Sequence, residues 1–252
     1  MNIQLNNKKV FFASDFHLGT PTPISSKERE KKIVKWLSEI EHEAAAIFLV
    51  GDIFDFWFEY DKVVPKGFLH FFAKITELRN KNIFIAFFTG NHDLWMKDYF
   101  VEELGIPVYH HPVEIEIENK KFLIGHGDGL GPGDNFYKVL KKAFTSPFLK
   151  FCFKWIHPDI GIRLAQKWSS NSRLTNELKD EAVFKGDNEW LWQYCKSVHE
   201  NRYHDFYVFG HRHLPLNLPV GKHGRYFNLG EWVTQCNYGV FDGSDFRLIT
   251  YS

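Results

Sequence analysis

The chain has 252 residues, 44% of them hydrophobic and 25% charged, which is enough for a large folded core and excludes a disordered chain. Lysine plus arginine and aspartate plus glutamate both total 31, so the net charge is zero, which argues against a nucleic-acid binder. Three widely spaced cysteines, Cys152, Cys195 and Cys236, exclude a disulfide framework and point to reduced thiols, while the polar start over 1–9 and the absence of a long uncharged apolar run lead us to expect neither a signal peptide nor a spanning helix. The expected location is therefore cytoplasmic.

In chain order, apolar runs predict strands at 10–14, 46–50 and 83–88, separated by helical patterns at about 26–43 and 66–80. That alternation implies strand–helix–strand units and a parallel or mixed sheet. A helix near 95–103 follows. Strict alternation over 113–117 marks a half-buried strand, with a turn at Asn119-Lys120 into a strand at 121–125. Residues 134–201 lack strand signals and read as a helical cap insertion, with breaks at Pro147, Pro158, Gly161 and Gly186. Short strands resume at 206–210, 215–219, 225–228, 237–241 and 246–250. The core is thus 1–133 plus 202–252, built as two packed sheets flanked by helices.

Five polar fragments sit at the ends of apolar runs: Asp15-Phe16-His17, Gly51-Asp52-Ile53-Phe54-Asp55, Gly90-Asn91-His92-Asp93, Gly125-His126-Gly127-Asp128 and Gly210-His211-Arg212-His213. Singly they are weak. Asp-x-His is commonly a loop coincidence, Gly-Asp-x-x-Asp can be an ordinary turn, and Gly-His says almost nothing. Their joint occurrence at strand ends is what a sheet-edge metal centre requires. Carboxylates, imidazoles and one amide, without thiolate, suit Mn²⁺, Fe²⁺ or Zn²⁺, with Mn²⁺ the first choice.

The order of these fragments resembles the calcineurin-like metallophosphoesterase superfamily. That resemblance implies an α/β fold, a four-layer α-β-β-α sandwich of two mixed sheets. It implies one ion held by Asp15, His17, Asp52 and His213, and a second by Asp52, Asn91, His126 and His211, with Asp52 bridging. Two divalent ions outweigh two carboxylates, leaving a cationic site fit for phosphate, and a shared water would be acidified enough to attack phosphorus. His92 would assist the leaving group or a phosphate oxygen. Asp55, Asp93 and Asp128 are either partners that orient ligands or ordinary turn carboxylates.

Over 136–175 there are eight basic residues, one acid (Asp159) and eight aromatics. This fits a cap with an apolar surface and a cationic rim, suited to an amphiphilic anion or an anionic membrane surface. The plainer reading is that the aromatics pack the cap onto the core and the lysines are solvated. Asp134, Tyr137 and the Asn171–Lys179 stretch narrow the resemblance to the UDP-2,3-diacylglucosamine hydrolases of lipid A synthesis. In that family the matching positions, Asp134, Ser172, Asn176 and Lys179, touch substrate along with Asn91, His92 and His211. The implied reaction yields 2,3-diacylglucosamine 1-phosphate and UMP at the inner membrane leaflet, with the enzyme peripheral. One position departs: the family carries Arg where this chain has His92. The alternatives are a nucleotide or dinucleotide phosphodiesterase of the same superfamily, or a non-catalytic scaffold. Oligomeric state is left open.

Overall fold

The computed structural model describes residues 1–22, 24–132, 135–177 and 183–252, with the side chains of 135–137 and 168–177 outside the description. The first sheet runs through β2 (Lys9–Ala13), β3 (Ala44–Val50), β4 (Phe84–Phe88) and β5 (Val108–Tyr109), all parallel. Between them lie α1 (Ser26–Ile40), α2 (Leu69–Asn80) and α3 (Tyr99–Leu104). Strand β1 (Asn2–Ile3) belongs instead to the second sheet, beside β6 (Val113–Ile117) and β7 (Lys120–Gly125). Helices α4 (Asn135–Thr145), α5 (Pro147–Lys154), α6 (Pro158–Glu177) and α7 (Trp190–Asn201) follow. Strands β8 (Phe206–Phe209), β9 (Pro215–Val220) and β10 (Gly224–Leu229) complete the second sheet. The last hairpin, β11 (Asn237–Phe241) and β12 (Phe246–Thr250), returns to the first sheet, antiparallel to β2.

Successive residues of a strand face opposite sides, and here both sides are buried. Val10 and Phe12, Ala46, Phe48 and Val50, and Ala86 and Phe88 point between the sheets, where they meet Ile115, Phe122, Phe206, Val208 and Phe227. Phe11, Ile47, Leu49, Ile85 and Phe87 point the other way onto α1, α2 and α3. The outer face of the second sheet, Leu123, Tyr207, Phe209 and Tyr226, is covered by Leu191 and Cys195 of α7. The result is the expected four-layer α-β-β-α sandwich. Most of the large aromatic share fills this interior: Phe12 stacks on Phe48 and Phe122 with centroids 5.3 and 5.9 Å apart. Each fully buried Phe is worth roughly 1.5–3 kcal/mol.

Local signals explain most element ends. Helix α1 starts with a capping box, Glu28 N–H donating to Ser25 Oγ while Glu28 Oε2 accepts from Ser25 N–H. Pro147 and Pro158 each open a helix, α5 and α6. Two expectations are corrected. The β6–β7 turn is Glu118-Asn119, whose φ values of 47° and 63° give the left-handed pair a tight hairpin needs, one residue earlier than expected. Gly161 does not break a helix but lies inside α6. A Cβ there would come within 2.7 Å of the Tyr60 hydroxyl and 3.1 Å of Phe153 Cζ, so the glycine lets α6 pack closely.

Candidate metal centre

The loops after β2, β3, β4, β7 and β8 open at one edge of the sandwich, the C-terminal ends of parallel strands, where α/β folds place their ligands. The five polar fragments occupy those loops. Asp15, His17 and His213 form one group with donor atoms within 4.8 Å of one another, and Asp52, His126 and His211 form another. His17 Nε2 lies 3.1 Å from His213 Nε2, and His213 Nε2 lies 3.1 Å from Asp15 Oδ1. In the second group His126 Nε2 is 3.2 Å from Asp52 Oδ2 and 3.4 Å from Asn91 Oδ1. All seven expected ligands are therefore brought together.

The backbone is bent to achieve this. Asp15, His17, Asp52, His211 and His213 all have φ between 44° and 69°. Such conformations cost roughly 1–3 kcal/mol each for residues with a side chain. Glycines in the fragments allow close approach: a Cβ on Gly90 would sit 2.2 Å from Asp52 Oδ1, and one on Gly51 would sit 2.4 Å from His126 Nδ1.

Supporting groups fix tautomers and loop shapes. His126 Nδ1 is 2.9 Å from the Val50 carbonyl oxygen, which makes Nδ1 a donor and turns Nε2 toward Asp52 and Asn91. His92 Nδ1 lies 3.1 Å from the Asp55 carbonyl oxygen, and its ring is 4.9 Å from that of His17. Asp55 Oδ1 is 3.6 Å from His92 Nδ1, and His17, Asp55 and His92 form a third donor group that the sequence reading does not separate. Asp93 is no ordinary turn carboxylate. Its Oδ1 accepts from Gly90 N–H and Asp52 N–H, and its Oδ2 from Ile53 N–H and Phe54 N–H, stapling one metal loop to another. Asp128 pairs with Lys141 of α4 at 2.6 Å.

Electrostatics favour added positive charge. Burial works against charge on His126, but the Asp52 carboxylate lifts its imidazole to about 10. Burial also opposes ionisation of Asp52, yet the His126, His92 and His17 imidazoles hold its carboxyl well below the usual range. Asp93 is pushed up to about 7 by burial and by the neighbouring Asp52 charge. Oxygen and nitrogen donors converging on one place, with buried carboxylates among them, fit divalent cations.

Some supporting residues escape sequence reading. Arg29 of α1 is buried, and its guanidinium donates to the carbonyls of Phe16, His17 and Thr20. Arg212, between two ligand candidates, pairs with buried Glu189. Arg29 is hidden among the charged neighbours Lys27, Glu28, Glu30 and Lys31, and for Arg212 the signal available was a cation inside a metal-binding fragment, which does not name its distant partner. Of the expected substrate contacts, Ser172 and Asn176 lie in α6 with side chains outside the description, and Asp134 and Lys179 lie outside the described residues. A cavity of about 360 Å³ shares Asp55 with the donors and runs between Gly19 and Arg163 of α6. A larger groove of about 780 Å³ between β10 and β12 includes none of the donors.

The family model for calcineurin-like phosphoesterases matches residues 8–215. The chain belongs to that family. It is 36% identical over 253 residues to a Porphyromonas gingivalis protein named UDP-2,3-diacylglucosamine hydrolase, covering 95% of this chain and 96% of the relative. Proteins of the same name from Proteus mirabilis and Photorhabdus laumondii are 28% and 26% identical over 247 residues, each match covering 96% of this chain and 98% of the relative. The calcineurin-like phosphoesterase family is one of metal-dependent hydrolases, in keeping with the two donor groups.

Proposed function

We infer that this protein is a two-metal hydrolase that cleaves the pyrophosphate of UDP-2,3-diacylglucosamine to 2,3-diacylglucosamine 1-phosphate and UMP. One observation carries the reading. A chain similar over 95% of its length to a relative bearing that name has groups of three donors, Asp15, His17 and His213, and Asp52, His126 and His211, at one sheet edge. Asp15, His17, Asp52 and His213 are assigned to one ion and Asp52, Asn91, His126 and His211 to the other, with Mn²⁺ the first candidate. When bound, two such ions supply Lewis-acid stabilisation of the phosphoryl oxygens and an acidified water. His92, anchored through Nδ1 on the Asp55 carbonyl, presents Nε2 to the substrate and delivers a proton to the leaving oxygen or a hydrogen bond to a phosphoryl oxygen. Asp134, Ser172, Asn176 and Lys179 are proposed to hold the sugar and phosphate, with help from Asn91 and His211.

Of the cap expected over 134–201, we propose that 134–189 forms the cap, whereas α7 packs on the second sheet as the outer layer of the core. The cap's inner aromatics pack on the core, Phe153 lying 4.8 Å from Trp95 and 4.7 Å from Phe58. Its outer side leaves Phe148, Phe151 and Trp155 exposed, beside the basic residues of α4 and α5. No helix among the described residues is long and apolar enough to cross a membrane. The exposed face instead suits peripheral attachment to an anionic inner leaflet, where the acylated substrate resides.

The test is a substrate panel in Mn²⁺ that follows UMP release from the lipid nucleotide against simple soluble diesters. Preference for a soluble nucleotide diester would overturn the substrate assignment. Asp52→Asn should remove more than about nine-tenths of turnover on every substrate, because one carboxylate serves both ions. Replacing Phe148, Phe151 and Trp155 together with serine should reduce binding to anionic vesicles and turnover of the lipid substrate, leaving a soluble diester unaffected. Equal losses on both substrates would count against attachment through α5.

A further inference from the structure

The Gly210–His213 loop contains a device that metal ligation alone does not require. His211 and His213 both take left-handed backbone, and Arg212 N–H donates to the Gly210 carbonyl at 2.8 Å. The chain therefore sends two imidazoles to one side and the residue between them to the other. Asp15-Phe16-His17 has the same form: its outer residues have φ of 56° and 44°, and Phe16 between them is wholly buried, 5.2 Å from the Trp232 ring. In the first loop the anchor is a phenyl ring in a hydrophobic core. In the last it is a guanidinium only 3% exposed.

Arg212 is held by a two-pronged contact. Its Nε donates to Glu189 Oε1 at 2.5 Å and a terminal nitrogen to Oε2 at 3.2 Å, while the same nitrogen reaches the Val183 carbonyl at 3.2 Å. Glu189 is fully buried and immediately precedes α7. The next two residues touch the neighbouring loops. The Trp190 ring lies 5.6 Å from His211, edge to face, and Leu191 fills the space beside Gly127, where a Cβ would meet it at 2.7 Å. Three consecutive residues thus brace the loops that carry His126, His211 and His213.

We propose that the Arg212–Glu189 pair is a positioning clamp for the metal centre, one that aims His211 and His213 at their cations and ties the returning segment 183–189 to those ligands. The proposal rests on the two-metal reading. Arg212, held by Glu189 and the Val183 carbonyl, would act through the imidazoles on either side of it. Stability alone does not call for a buried ion pair, since apolar residues of similar volume commonly serve as well. What the planar fork adds is direction: two parallel hydrogen bonds fix the orientation of the loop in a way that an ammonium group does not.

The experiment is calorimetric titration of Mn²⁺ into metal-free R212K and the double variant R212M/E189L, with urea unfolding of the metal-free proteins alongside. Removing both charges together should leave metal-free stability close to that of the unaltered protein. Mn²⁺ affinity should fall about 10–100-fold, with turnover of a soluble diester recovered by added Mn²⁺. R212K, which keeps the charge and loses the fork, should show a smaller loss in the same direction, and it decides the matter alone should the double variant not fold. Either folded variant binding Mn²⁺ within about twofold of the unaltered protein overturns the clamp. An unaltered protein that takes up no Mn²⁺ overturns the two-metal reading, and the clamp with it.

Discussion

The residues of the centre divide into those that face the reaction and those that hold them still, and Asp93 belongs to the second group. Four backbone amides from two loops converge on its carboxylate. In Asp93→Asn one acceptor oxygen becomes an NH₂ group that points at N–H donors, leaving buried amides unsatisfied at about 1–3 kcal/mol each. We expect a loss of about 2–4 kcal/mol in urea unfolding and weaker Mn²⁺ binding; unchanged stability would show that the staple is dispensable. At this scale the ligands were legible because Asp, His and Asn stand where apolar strands end. Arg29, Glu189 and the role of Arg212 were not. A buried cation is recognisable only through a partner that the fold brings from far along the chain, as Glu189 comes to Arg212 across 23 positions.

Among the elements, the β11–β12 hairpin shows how a turn carboxylate acts on stability. Asp242 accepts from the amides of Ser244 and Asp245, from the Ser244 hydroxyl, and from Arg247. The Asp245 and Ser244 amides outweigh partial burial and push it down to about 2. A carboxyl whose folded value is depressed contributes fully above its unfolded value near 4 and loses that contribution as pH falls through about 2. The stability gap between the natural chain and Asp242→Asn should therefore be widest above pH 5 and shrink between pH 4 and 2, as read from urea midpoints. A gap that does not narrow would remove the carboxylate's part in it. Strands were the most legible elements, since β2, β3 and β4 are apolar on both faces and read as continuous runs. Gly161 was misread because a glycine that permits close packing looks the same in sequence as one that ends a helix.

For the molecule as a whole, the centre should be a stabiliser as well as a catalyst. Ions that bind only the folded chain add about 2.7 kcal/mol each at a hundredfold excess over Kd. For a chain of this size each kcal/mol shifts the melting temperature by about 2–4 °C. Chelation should therefore lower melting by roughly 10–20 °C, reversibly on adding Mn²⁺, and a shift under about 3 °C would mean that the centre binds its ions too weakly to stabilise the fold. The layered architecture was legible from strand–helix alternation, but the assignment of strands to sheets was not. Strands β8 to β10 join one sheet while β11 and β12 cross to the other, a choice made by packing between distant segments that no local pattern records.

The double-sided burial of β2, β3 and β4 also bears on how the protein tolerates insertions. Adding one residue within β2 would exchange the set of side chains directed at the helices with the set directed at the opposite sheet, forcing Phe11 and Phe12 into each other's places. The same half-turn would swing Asp15 and His17 away from the open edge and bring Phe16 out to it. Length changes in these strands are thus penalised twice, in folding and in chemistry, whereas the exposed turn at 221–223 between β9 and β10 can lengthen without disturbing either.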